Sequence, residues 1–285
     1  MIATGPLITG SLTFSPAVAL LLASIGFTVG AFGTIVGSGG GFILAPILLV
    51  LYPHEKPATL TAISLTAVFF NAASGSAAYA HQRRIDYRSG LAFAAAALPG
   101  SILGALVVGS VSRSLFDILM AAVLCALAAW LLLGEPGAAP TTRGRLVKRA
   151  LTDRYGRTFL YAVPLRRGIA YSSVVGFVSS FLGIGGGVIH VPLLVRVLAF
   201  PTHIATATSH FVLAIIAGSG AATHVLTGSF ANGHGIRRAL ALSVGVVLGA
   251  QLGARLSLRT SGRTVEALLG VALLALAARL SFGAF

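Results

Sequence analysis

Charge is what this sequence has least of. Asp, Glu, Lys and Arg make up 9% of its 285 residues, where a soluble domain carries roughly 25%. That is too little to clothe a water-facing surface, which argues at once against a soluble enzyme, a nucleic-acid binder and a disordered chain. Cysteine is nearly missing as well. Cys125 stands alone, so no intrachain disulfide, two-thiol relay or cysteine-based metal site can form, and its expected role is that of a small apolar helix residue. No Lys or Arg precedes Lys56, so the basic n-region of a cleaved signal peptide is not expected.

What is abundant is apolar surface and glycine. Hydrophobic residues reach 56%, there are 35 glycines, and the mean hydropathy is +0.94. The fold class that remains is an all-α polytopic membrane protein, located in the cell (plasma) membrane, which is the inner membrane if the source is bacterial. A spanning helix needs about 20 mostly apolar residues. Segments of this kind lie at Pro16–Tyr52, Ala58–Ala80, Ser89–Ser110, Leu115–Leu133, Ile169–Phe200, Ile204–Leu226, Gly235–Leu256 and Thr264–Phe282. The first and fifth are too long for one plain span, and each is interrupted by a glycine cluster.

The net charge of +14 would suggest a nucleic-acid partner in a soluble protein. Here the cations sit between apolar segments, at Arg83, Arg84 and Arg88 and again from Arg143 to Arg167. That is the positive-inside pattern of short cytoplasmic loops, and the central loop could also meet anionic lipid headgroups. Nucleic acid is not an expected partner.

The glycine clusters expose an internal repeat. Gly37-Ser38-Gly39-Gly40-Gly41-Phe42-Ile43-Leu44-Ala45-Pro46 matches Gly183-Ile184-Gly185-Gly186-Gly187-Val188-Ile189-His190-Val191-Pro192 at a shift of 146 positions. One residue is then lost: Thr61-Ala62-Ile63-Ser64 aligns with Thr206-Ala207-Thr208-Ser209, and Ser74–Ala78 with Ser219–Thr223. Gly100, Gly104 and Ala105 pair with Gly249, Gly253 and Ala254. The expected organisation is an N-terminal transmembrane repeat over 1–133, a basic cytoplasmic linker over 134–168 and a C-terminal transmembrane repeat over 169–285.

Charge orients the repeats. The cation-free N-terminus belongs outside, and the 81–88 and 134–168 loops belong inside. If 16–52 is a glycine-broken helical hairpin that enters and leaves on one face, each half keeps three spanning helices, and the halves form an inverted pair. The competing scheme has eight full crossings, parallel halves and both termini inside.

Neither glycine run fits a nucleotide-binding fingerprint, since no strand–helix context or Lys-Ser/Thr accompanies it. Consecutive glycines let backbone approach a ligand closely, and unwound backbone at membrane depth must be buried in protein or line a cavity. A helix restarting near Phe42 or Val188 leaves first-turn N–H groups unpaired, which together with the helix dipole make an anion site. The plainer alternative is tight helix packing through small residues, and that is the role expected of Gly100, Gly104, Gly249 and Gly253. The anion-binding candidates are Gly37, Ser38, Gly39, Gly40, Gly41 and Phe42, with Gly183, Gly185, Gly186, Gly187 and Val188.

Polar residues within the spans extend the set. Ser64, Asn71, Ser74 and Ala78 share one helical face, and Ser209, Ser219 and Thr223 repeat part of it. Ser64, Asn71 and Ser209 are expected at the substrate. Ser74, Ser219 and Gln251 are pathway candidates, although a lone Ser can bond its own helix and Gln251 can serve as interhelical glue. His190 and His210 are candidates for the pathway or for proton coupling; their repeat counterparts are Leu44 and Leu65. A buried neutral histidine bonded to a neighbour is the bland alternative. His81, His203, His224 and His234 are expected at interfaces, and Arg196 near a helix end, where it can snorkel. Asp117 and Glu266 stand early in the last segment of each half and are expected to make helix-end contacts. No HExxH, paired intramembrane Asp or G-x-S-x-G occurs, so an enzyme is not expected, nor a metal or other cofactor.

The set of motifs resembles the sulfite exporter TauE/SafE family, also known as toluene sulfonate uptake permeases. The resemblance rests on the G-x-G-G-G-x-x-x-x-P signatures at Gly37–Pro46 and Gly183–Pro192, the Thr206–Ser209 run and its looser Leu60–Ser64 version. The Ser74-Gly75 and Ser219-Gly220 pairs and the Gln82–Arg88 loop complete it. It spans nearly the whole chain beyond the first 15 residues. It implies passage of sulfur-containing oxyanions such as sulfite, sulfoacetate or other sulfonate and organosulfur anions. His190 and His210 depart from the plainest family pattern, where aliphatic or small residues are more usual, and membership alone does not fix direction.

The expected mechanism is alternating access at the interface of the repeats, with the anion held by backbone amides at Gly39–Phe42 and Gly185–Val188. Neutral donors bind an anion and release it, where a buried cation would hold it. Export is favoured by a membrane potential worth about 2.3 kcal/mol per charge per 100 mV. The expected partners are the small anion and membrane lipid, with a homodimer left open. The alternatives are a permease for another small anion such as a carboxylate, and a non-transporting membrane scaffold.

Overall fold

The computed structural model describes residues 14–133, 146–230, 234–260, 264 and 271. Helix α1 (Pro16–Val36) starts where the Ser15 side chain accepts the Val18 amide and Pro16 supplies a preset first turn. It stops at Gly37, whose left-handed backbone (φ +82°) caps it. After the break come α2 (Gly41–Leu51), α3 (Pro57–His81), α4 (Tyr87–Val107) and α5 (Arg113–Leu133). The second repeat gives α6 (Leu165–Leu182), then α7 (Gly187–Pro192) running into a π turn at Leu193–Val197, α8 (Thr202–Leu226) and α9 (His234–Leu256). The last expected segment, Thr264–Phe282, lies outside the described residues apart from 264 and 271.

Among the described residues six helices are long and apolar enough to cross a membrane: α1, α3, α4 with the turn after it, α5, α8 and α9. The first apolar segment is therefore less even than a hairpin of two half-helices. With 21 residues, α1 is about 31 Å long and reaches spanning length by itself, whereas α2 has 11 residues and does not.

The two repeats interlock. Helix α1 packs along α9, and α6 packs along α4, each pair running in the same direction. Small residues permit this contact: a Cβ on Gly245 would stand 1.9 Å from the Ala23 carbonyl oxygen, and one on Gly176 would stand 2.1 Å from that of Ala97. A Cβ on Gly100, Gly104, Gly249 or Gly253 would likewise strike backbone of the partner helix. Helices α3 and α8 form the centre and pass each other in opposite directions, for Gly75 packs on His210 while Gly220 packs on Leu65. They are also the most buried of the spans. Large apolar side chains such as Leu20, Leu103, Ile118, Val244 and Leu248 are exposed on the outer helices, as a lipid-facing surface requires.

One element departs from an all-helical fold. Within the basic linker, β1 (Val147–Thr152) and β2 (Thr158–Val163) form an antiparallel hairpin, with Val147 opposite Val163 and Thr152 opposite Thr158. Alternate inward residues seat it, since Val163 is fully buried against the cluster containing Phe93, Leu198 and Phe200. Its turn is closed by Asp153, which accepts the Tyr155 and Arg157 amides, both at 2.9 Å, and pairs with the Arg157 guanidinium at 2.7 Å. Burial works to raise the Asp153 carboxyl, but these donors outweigh it and hold it below the usual range. The hairpin is latched to the α3–α4 loop: the Arg154 amide donates to the Gln82 carbonyl at 3.0 Å and the Tyr161 hydroxyl to Asp86 at 3.0 Å.

Candidate functional site

The two glycine breaks take the same backbone path. Gly37, Gly39 and Gly40 have φ of +82°, +72° and +76°, and Gly183, Gly185 and Gly186 have +70°, +79° and +69°. These are left-handed values that only glycine adopts without strain. The breaks also touch each other. A Cβ on Gly41 would lie 2.5 Å from the Ile184 carbonyl oxygen, and one on Gly187 would lie 2.6 Å from the Ser38 Cα. Both sit against Val68 and Leu213, close to the midpoints of α3 and α8. Ser38, Phe42 and Val188 are fully buried.

Side chains from the opposite repeat clamp each break. Ser64 on α3 donates to the Gly183 carbonyl at 2.6 Å, and its repeat equivalent Ser209 on α8 donates to the Gly37 carbonyl at 3.3 Å. One turn earlier, Thr206 packs on Gly37 and Thr61 on Gly183. Two hydroxyls near the breaks have no hydrogen-bond partner although buried: Thr61 Oγ1, and Ser179 Oγ beside Gly186. First-turn amides of a helix have no acceptor within it, and here some are taken up inside the breaks, the Gly39 amide by the Gly33 carbonyl at 3.1 Å and the Gly187 amide by the Gly185 carbonyl at 2.9 Å. Buried hydroxyls without partners thus lie beside the second break, Thr61 at Gly183 and Ser179 at Gly186.

Asn71 lies in a separate knot. Its Nδ2 donates to the carbonyls of Gly30 (3.1 Å) and Val246 (3.3 Å), so its Oδ1 is the acceptor facing Thr34 Oγ1 (3.1 Å) and His210 Nε2 (3.2 Å). The proton of the neutral His210 ring is therefore on Nε2, leaving Nδ1 buried without a partner. The ring also stands edge-on to Tyr79, whose hydroxyl donates to the Thr34 carbonyl at 2.6 Å. Asn71 thereby ties α1, α3, α8 and α9 together, with its hydrogen-bonding capacity engaged.

The remaining sequence candidates are spread over several other contacts. Ser74 donates to the Val247 carbonyl at 2.9 Å, and Gln251 Nε2 reaches Ser74 at 2.9 Å, which joins α3 to α9. Ser219 shares a buried hydroxyl cluster with Ser101 (2.7 Å), which in turn meets Ser180 at 2.9 Å. His190 is within 3.3 Å of Ser172 and edge-on to Phe93, with Nδ1 unpartnered. His224 corrects an expectation: it is near a helix end but fully buried, within 3.0 Å of Ser229. Cys125 is exposed on α5. Asp117 pairs with Arg113 at 2.9 Å in the first turns of α5, the expected helix-end contact, and Glu266 lies outside the described residues.

Several participants carried no signal of their own in the sequence. Thr61 and Thr206 stand inside the repeated runs, so the repeat alone could have nominated them. Thr34 and its equivalent Ser180 are 146 positions apart but belong to no motif. Arg84, in a basic loop, is 1% exposed. Among the described residues no group of three or more His, Cys, Asp or Glu is placed to hold a metal ion.

Six spanning-capable helices around a buried polar centre built from two repeated breaks define a multi-pass membrane protein of the transporter class, located in bacteria in the plasma membrane. The chain belongs to the sulfite exporter TauE/SafE family, whose sequence pattern matches residues 22–280; this is a family of membrane transporters and not of enzymes. It is 28% identical over 215 residues to the probable membrane transporter protein YunE of Bacillus subtilis (strain 168), covering 73% of this chain and 79% of that one. A probable membrane transporter protein of Methanocaldococcus jannaschii is 26% identical over 205 residues, 70% of each chain. One from Xylella fastidiosa (strain Temecula1) is 30% identical over 185 residues, covering 62% of this chain and 61% of that one. No solved structure matches the chain.

Proposed function

We propose that this transporter moves small sulfur-containing oxyanions, such as sulfite, sulfoacetate or another sulfonate, out of the cell by alternating access between two inverted repeats. The observation that carries the proposal is the meeting of two repeat-equivalent glycine breaks, clamped by Ser64 and Ser209, beside buried hydroxyls without partners. A tetrahedral or pyramidal oxyanion presents several acceptor oxygens; of the candidate amides at Gly39–Phe42 and Gly185–Val188, those of Gly39 and Gly187 are held inside the breaks, and the others are the donors proposed from both sides. Binding here needs no buried cation, so release stays easy.

Inversion is supported by the opposite directions of the repeat-equivalent helices α3 and α8, because two spans related by an axis in the membrane plane must run antiparallel. The charge agrees. Arg84, Arg154 and the chain after α9 share one end, as the Arg84 contacts to His203 and Ser257 require. The other end carries Lys56, Arg113, Arg237 and Arg238 and is poorer in cations. With the richer end inside, the membrane potential drives an anion outward.

The test is a flux panel with purified, reconstituted protein and labelled sulfite, sulfoacetate, lactate and sulfate. Saturable sulfite or sulfonate flux, lost in Gly40→Val and Gly186→Val proteins that still insert, is the expected result. Preference for lactate would assign a carboxylate permease, and no flux of any anion would assign a non-transporting scaffold.

A further inference from the structure

The two ends of the central helices are equivalent by the repeat, yet they are finished differently. After α3 the chain turns through Gln82, Arg83 and Arg84; after α8 it turns through Thr227, Gly228 and Ser229. The turns match atom for atom in their backbone bonds. The Arg84 amide donates to the Tyr79 carbonyl at 3.2 Å and the Ser229 amide to the His224 carbonyl at 3.0 Å. Arg83 (φ +54°) and Gly228 (φ +72°) are both left-handed. On the Ser229 side a groove of about 260 Å³ opens, lined among others by Lys56, Thr59, Ala105, Thr227 and Ser229. On the other side the equivalent ground holds the Arg84 side chain. Its guanidinium donates to Gln82 Oε1 (2.9 Å), Ser257 Oγ (3.2 Å) and the His203 carbonyl (3.0 Å), and lies over the Tyr79 ring.

We infer that Arg84 is a plug at the cytoplasmic end of the transport path, closing the counterpart of the open outer groove, and that the arriving anion is what unseats it. The plug ties three elements into one closed end: the α3–α4 loop through Gln82, α8 through His203 and the end of α9 through Ser257. All three acceptors are neutral, and Arg84 Nε is buried without a partner. An oxyanion offers the guanidinium an opposite charge and a planar, two-pronged match that the three neutral acceptors lack, so it can exchange for them. The plug also reaches inward, since Tyr79 beneath the guanidinium binds the Thr34 carbonyl, two residues before Val36 ends α1 at the first break. In this conformation Arg84 fills the inner counterpart of the outer groove, while separate hollows at that end lie beside it, one lined by His81, Arg83 and Arg154 and one by Asp86, Arg88 and Arg149. The role of the anion rests on the transport function proposed above; the plug itself does not.

The experiment reads access directly. In a Cys125→Ala full-length protein in membrane vesicles, the repeat-equivalent positions Ala105→Cys and Ala254→Cys are labelled with an impermeant maleimide from either side. Ala105 borders the groove while Ala254 is fully buried, so Ala105→Cys is expected to label faster than Ala254→Cys, and Arg84→Gln should remove most of that gap by opening the inner end. Arg84→Lys, which keeps the charge but not the planar fork, should do the same in part and serves if the Gln protein fails to fold. Sulfoacetate should speed labelling of Ala254→Cys when Arg84 is present. Equal rates at the two positions with Arg84 intact, or protection that persists in both Arg84 variants, would overturn the plug. A plug that opens in the variants but ignores sulfoacetate would overturn anion unseating. If Arg84 controls labelling while no anion crosses in the flux panel, the plug stands and the transport proposal falls.

Discussion

The Ser64 hydroxyl donates to the carbonyl of Gly183 at 2.6 Å, so a side chain of the first repeat holds the helix break of the second. Ser209 and Gly37 return the arrangement at 3.3 Å. Each half therefore supplies a donor to the other's break, whose turn is also held from within, as by the Ser38 amide on the Gly33 carbonyl at 2.8 Å. A buried carbonyl left without a donor costs about 1–3 kcal/mol, and Ser64 supplies one to Gly183.

Replacing Ser64 with Ala should lower thermal stability by about 1–2 kcal/mol, and Ser209→Ala by less, following the lengths of the two bonds. Sulfite flux should fall in both. Melting curves in detergent with flux in proteoliposomes check this, and a larger effect at Ser209 would contradict the exchange as described.

Gly40→Ala should be more harmful than its size suggests. The new Cβ would stand 2.7 Å from Val29 Cγ1 at a φ of +76°, with backbone strain of about 1–3 kcal/mol. Gly109→Ala meets nothing within 4 Å and should leave stability unchanged. The paired melting temperatures decide the matter.

The packing glycines should behave differently from those at the breaks. Gly249→Ala puts a Cβ 2.2 Å from the Phe27 carbonyl oxygen and should push α1 from α9, reducing folded yield. Substrate preference in whatever protein survives should be unaltered, as measured by competition between sulfite and sulfoacetate.

Asp153 gives the hairpin a pH dependence of known sign. Its folded carboxyl is held below the ordinary value, so the stability it contributes is full above the unfolded pKa of about 3.9 and lost as pH falls through the folded one. Asp153→Asn should thus melt below the parent at pH 7, and the difference should shrink as the medium is acidified past the carboxylate range.

His210→Ala should shift the pH profile of flux if the ring carries a coupled proton. Its Nε2–H is engaged by Asn71 and Thr34, so Nδ1 is the atom left to take one. An unmoved profile with lower stability would assign the ring to the Asn71 knot alone.

Much of the architecture could be read from composition and period. The spans α3, α4, α5, α8 and α9 begin and end close to the expected apolar segments, because exclusion from water is a property of each segment's own residues. The polar face of Ser64, Asn71 and Ser74 was visible too, though not its division of labour. Seven positions along a helix bring Asn71 near Ser64 in angle but about 10 Å away in height. Ser64 therefore meets a break while Asn71 meets α1 and α9. The hairpin escaped notice because the linker's cations outweigh the short alternation in Leu151, Phe159, Tyr161 and Val163 that seats it.

By itself the sequence determined that the chain lives in a membrane, that a glycine signature recurs 146 positions on, and where its helices break, since low charge, repeated spacing and triple glycines are local facts. The tertiary structure decided which break Ser64 and Ser209 each meet, that Asn71 bonds to α1, α8 and α9, and that Arg84 is buried at only one of the two matching ends. Those outcomes depend on α3 and α8 crossing in opposite directions. That crossing brings residues about 120–175 positions apart into contact, and no local pattern encodes it.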